Sequence, residues 1–135
     1  MSTEIKKLKT KNDLLLLVVG TEKSLQGLIK KLLSNDGFED IHSSKTAVGA
    51  LNMCEDFRYD IIITDQILDG SNTGKSWIAD VKEYIPKAKT LLMYGDIKPK
   101  GTGADLLNKK PFVDNDEFLL LINTLADKRL REENQ

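Results

Sequence analysis

The sequence predicts a doubly wound α/β domain, with five parallel strands in the order 2-1-3-4-5 and helices on both faces of the sheet. Two observations carry this. Continuous aliphatic runs such as LLLLVV at 14–19 and III at 61–63 have the composition of strands covered on both faces rather than half-exposed ones. Each is followed by apolar residues at the three-to-four spacing of an amphipathic helix, and a repeated strand-helix unit needs right-handed crossovers and hence parallel strands. At 135 residues there is room for one such domain and no second.

The elements follow in order. Residues 1–13 form a polar lead-in with Lys6, Lys7, Lys9 and Lys11, the domain proper runs over 14–130, and 131–135 is a polar tail. After the strand at 14–19, Leu25, Leu28, Ile29, Leu32 and Leu33 define the apolar face of a first helix that stops at Asn35-Asp36-Gly37. A weaker strand lies at 39–44. Ala47, Ala50, Leu51 and Cys54 then mark a second helix, and the stretch 59–65, with three β-branched isoleucines, suits a central strand. Trp77, Ile78, Val81 and Ile85 give a third helix closed by Pro86. Residues 90–94 and 104–108 read as the last two strands, and Phe118, Leu121, Ile122, Leu125 and Arg129 as the final helix, with Asp114 and Glu117 spaced as a capping box. Only residues 95–104, with Pro99, Gly101 and Gly103, separate the last two strands, so the fourth helix of the alternation is expected to be short or absent.

Composition narrows the function classes. Twenty basic and 21 acidic residues leave a net charge of -1, without the basic excess of a nucleic-acid binder. A single cysteine and a single histidine exclude an internal disulfide framework and a multi-histidine metal site. The longest apolar run falls far short of the roughly 18 residues that a membrane span needs, so the expected setting is the cytoplasm, away from membranes.

In a 2-1-3-4-5 sheet, the loops after strands 1 and 3 meet at the switch point where ligands bind. Three features gather there: Gly20-Thr21-Glu22 after strand 1, Asp65 ending strand 3, and Lys110-Pro111-Phe112 after strand 5. This order resembles the flavodoxin-like receiver domain of two-component response regulators, over roughly residues 14–130. The resemblance implies that Asp65 holds the phosphoacceptor position and Lys110 the position that contacts the phosphoryl group. It also implies magnesium, because a carboxylate attacking a phosphoryl donor brings like charges together.

The departures from that pattern run in one direction. Receivers place an acidic pair after strand 1, and Gly20 and Thr21 stand there, which leaves Asp65 and the Ile67 carbonyl as metal ligands, with Glu22 or Asp69 as replacements to be swung in. The hydroxyl expected after strand 4 falls on Gly95, and the aromatic expected on strand 5 falls on Leu107. The expectation is a pseudo-receiver: a stand-alone, non-enzymatic module of phosphorelay signalling that acts through protein–protein contact, with weak or no phosphorylation, no cofactor and magnesium held weakly at most. Its partner would be a signalling protein, a histidine kinase or a downstream effector. A bland reading makes Asp65 and Lys110 a structural ion pair.

Two other functions stay open. One is a working single-domain response regulator phosphorylated on Asp65. The other is a small nucleotide-binding protein, because DGSNTGKS at 69–76 matches the phosphate loop GxxxxGK[ST] except at its first glycine, which would put Gly74-Lys75-Ser76 against phosphate. The same residues also suit the start of the third helix. Cys54 and Trp77 read as core, His42 as surface or satisfied core, and Lys98, Lys100, Lys109 and Lys110 as a modest basic cluster.

Overall fold

A computed structural model describes residues 8–66, 68, 73–110 and 115–135. The strands are β1 (Leu15–Val19), β2 (Asp40–Ser44), β3 (Ile61–Asp65), β4 (Lys89–Tyr94) and β5 (Leu106–Lys109). The helices are α1 (Lys23–Asn35), α2 (Ala47–Asp56), α3 (Gly74–Tyr84) and α4 (Asn115–Glu133). All strand pairs are parallel and the order is β2-β1-β3-β4-β5.

The strand alternation sorts the core into two layers. Leu16, Val18, Ile61, Ile63, Leu91 and Met93 face Ile29 and Leu33 of α1 and Phe118, Ile122 and Leu125 of α4. Leu17, Val19, Ile62 and Leu92 face Ala50 and Cys54 of α2 and Trp77, Ile78 and Val81 of α3. Strands that bury both faces must be apolar at every position, which is why 14–19 and 61–63 show no polar alternation. Cys54 is buried there as a small core residue, and burial pushes its thiol up to about 11. His42 is half-buried, with Nδ1 2.7 Å from the Tyr59 hydroxyl.

The first helix buries the face its leucines suggest, Ile29 and Leu33 in the core with Leu25 and Leu32 packed against it, and widens it by one residue on the Gln26 side. Gln26, Ile29 and Leu33 are inside, and Leu28 is exposed. Leu28 lies at the margin of that face, and Gln26 at the other margin reaches the edge of the sheet.

Between the last two strands, where a short or absent helix is expected, there is none. Residues 95–105 join β4 to β5 without a helix. The fourth helix in chain order is α4, 19 residues long, so it is neither short nor absent. The connection crosses on the α3 side, where a Cβ built on Gly103 would lie 3.8 Å from Ile78 Cγ2.

At the opposite end of the sheet, buried Arg129 donates to Asp60 Oδ1 at 2.9 Å and pairs with Glu133, while Asp60 Oδ2 accepts from Leu15 N–H at 2.8 Å. The polar ends of the described chain meet: Lys9 N–H donates to Asn134 Oδ1, and Asn134 Nδ2 donates back to Lys9 O. The capping box at Asp114 lies outside the described residues.

Candidate functional site

The carboxyl edge of the sheet brings Gly20, Asp65, Gly95 and Lys110 together through β4. Gln66 N–H donates to Met93 O at 2.9 Å and Lys110 N–H to Tyr94 O at 2.7 Å, so the residues following β3 and β5 are both pinned to the end of the strand between them. Lys110 Nζ then lies 2.8 Å from Asp65 Oδ1. This is a charge contact rather than a well-aligned hydrogen bond, since Oδ1 is buried without a hydrogen-bond partner among the described residues. Asp65 is only 3% exposed. Burial raises its pKa above the ordinary 3.8, Lys110 pulls it back, and Glu22 pushes it up again.

The strand 1 turn explains where the carboxylate sits. A Cβ built on Gly20 would stand 2.5 Å from Asp65 Oδ2 and 3.3 Å from its Cγ. Gly20 has no positive φ, so its backbone does not require glycine, but a side chain there would have to displace the Asp65 carboxylate. The carboxylate fills the volume that a side chain after strand 1 would occupy. Gly95 is the opposite case, because a Cβ there would meet nothing within 4 Å. Its missing hydroxyl is a matter of sequence, not of space.

Gln26 holds this turn from below. Its Nε2 donates to Gly20 O at 2.6 Å and to Ser44 O at 2.8 Å, and Gly20 N–H donates to Ser44 O at 3.1 Å. The sequence reading missed Gln26, although a polar residue at i, i+3, i+7 with Ile29 and Leu33 was the available signal.

Thr21 and Glu22 are exposed, and Glu22 is the N-cap of α1 without a side-chain capping bond. Ile67, Asp69, Pro111 and Phe112 lie outside the described residues. Among those described, no three His, Cys, Asp or Glu side chains gather closely enough to hold a metal ion. Magnesium wants several oxygens in near-octahedral array, and one buried carboxylate packed against Gly20 and paired with a lysine does not supply it. Leu107 of β5 packs against the α2–α3 layer.

The phosphate-loop segment has a structural use. Thr73 caps α3, its hydroxyl accepting from Ser76 N–H at 3.2 Å, while Ser76 Oγ accepts from Thr73 N–H at 3.1 Å. That reciprocal box engages Ser76, and Lys75 beside it is exposed.

No protein-family model and no curated protein matches this sequence. Solved structures do. The signal receiver domain of an HD domain-containing protein from Pseudomonas fluorescens Pf-5 superposes with a TM-score of 0.82 at 19% identity, covering 94% of this chain and 96% of that one. A CheY-like response regulator receiver domain protein from Methanospirillum hungatei JF-1 gives 0.79 at 20% identity, covering 88% and 98%. The fold is that of response-regulator receiver domains. The chemotaxis response regulator CheY4 of Vibrio cholerae gives 0.74 at 20% identity, covering 83% of this chain and 98% of its own. Among the described residues no helix is long and apolar enough to cross a membrane.

Proposed function

We propose that this chain is a receiver-like module of phosphorelay signalling that works by protein–protein contact, with Asp65 phosphorylated weakly or not at all. The observation that carries the reading is the contact geometry of Asp65. A phosphoacceptor must present an oxygen to an incoming phosphoryl group together with a cation that offsets the charge. Here one oxygen faces Lys110 and the other faces Gly20, with Glu22 the neighbouring described acid. Burial also favours the protonated carboxyl, the poorer nucleophile.

On this reading the module is not an enzyme. It resides in the cytoplasm, and its partner is a signalling protein, a histidine kinase or a downstream effector. The chemistry that would recognise such a partner lies on its surface rather than in the Asp65 pocket.

The test is incubation of the folded chain with a small phosphodonor and magnesium, followed by intact-mass measurement. The expected result is no stoichiometric mass gain. A gain that disappears in Asp65→Asn would establish the working response regulator instead.

A further inference from the structure

We propose that the helix-free β4–β5 connection walls a pocket for a small, multiply charged phosphate compound, held between Lys75 and Lys100. A cavity of about 220 Å³ opens there. Its floor is Leu92, a member of the core layer beneath α2 and α3, so it opens on that face of the sheet. Thr73 and Lys75 at the start of α3 form one wall, Lys100 and Thr102 of the connection form the other, and Gln66 adds a carboxamide. The volume lies below the roughly 300 Å³ at which drug-sized sites begin, which selects a small ligand.

The lining selects its charge. Beside apolar Leu92 and Pro99, the lining residues are Lys75, Lys100, Thr73, Thr102 and Gln66, and no carboxylate belongs to the described lining. Lys75 and Lys100 line this one concave site and have no ion pair among the described residues, so an anion between them would meet two cations at once. Thr102 is 9% exposed and its hydroxyl oxygen accepts from Ala104 N–H at 3.2 Å, which leaves its proton for a ligand.

This is not a phosphate loop. Ser76 is engaged in the α3 capping box, and the groups offered to the anion are side chains from two separate segments. The site exists because a loop has replaced a helix, and it is independent of whether Asp65 accepts a phosphoryl group.

Calorimetric titration of the full chain with pyrophosphate, and in parallel with glycerol phosphate, tests it. Saturable one-to-one binding of either compound is expected, weakened about tenfold by Lys75→Ala and by Lys100→Ala, because each removes a charge-assisted contact. Lys98→Ala, outside the lining, should leave it unchanged. Both lysines are exposed, so the variants keep the fold, and thermal melting confirms this. The proposal is overturned by no saturation up to about 10 mM, which is weaker than any useful site. It is equally overturned if Lys98→Ala weakens binding as much as Lys100→Ala, or if only Lys110→Ala abolishes it.

Discussion

Adding one methyl group at Gly20 should expose the packing that sets the state of Asp65. Gly20→Ala would put a carbon 2.5 Å from Asp65 Oδ2, about an ångström inside normal contact, against a carboxylate that is itself buried. Overpacking of this kind costs about 1–3 kcal/mol. Against it stands the reduced entropy of the unfolded chain, which favours alanine by about 0.4–1 kcal/mol where the backbone is compatible, as it is here. The net expectation is destabilisation of about 1 kcal/mol, read as a lower urea midpoint at unchanged slope. In an Asp65→Ala background the colliding oxygen is gone, and the same Gly20→Ala substitution should stabilise by about 0.5 kcal/mol. The sign reversal is the discriminating result, and the effect of leaving Lys110 unpaired cancels because it is common to both arms of the cycle. An equal cost of Gly20→Ala in both backgrounds would refute the account of why no side chain stands after β1.

Two further outcomes follow from the same site. The folded-state pKa of Asp65 is raised, chiefly by burial, so the stability this group contributes is fully present below the ordinary 3.8 and is lost as pH rises through the folded value. Thermal melts should therefore show Asp65→Asn gaining on the natural chain as pH climbs from 3.8 toward neutrality, and a difference that stays flat would contradict this. Gln26→Leu removes both donors from Gly20 O and Ser44 O, and should cost about 1–3 kcal/mol in urea unfolding. Amide exchange at Gly20 should rise selectively in that variant, since the turn and not the sheet is what Gln26 holds.

The layers of the fold were legible because periodicity is local. Ile61, Ile62 and Ile63 in succession can be satisfied only between two helical layers, and Trp77, Ile78, Val81 and Ile85 all landed on the buried face that their spacing gave them. The first helix shows where that logic stops. Its buried face is the expected one, but Leu28 at one margin is exposed and Gln26 at the other is inside, held by hydrogen bonds to two carbonyls outside the helix, which no pattern within the helix encodes. Asp65 and Lys110 were visible as a pair because both terminate strands. That the pair is closed, with Asp65 turned onto Gly20, was not, because it depends on a gap between two segments 45 residues apart.

Sequence alone determined the order and kind of the elements, the place of the switch point and the acid that stands in it, since hydrophobic spacing and strand-end position are properties of short stretches of chain. Only the tertiary structure decided what that acid touches, that Gln26 joins the buried face of α1, and that the helix-free β4–β5 connection leaves a cavity lined in part by Lys75 and Lys100. Each of those depends on which distant surfaces come to share one small volume, and close packing fixes that only once every element is in place.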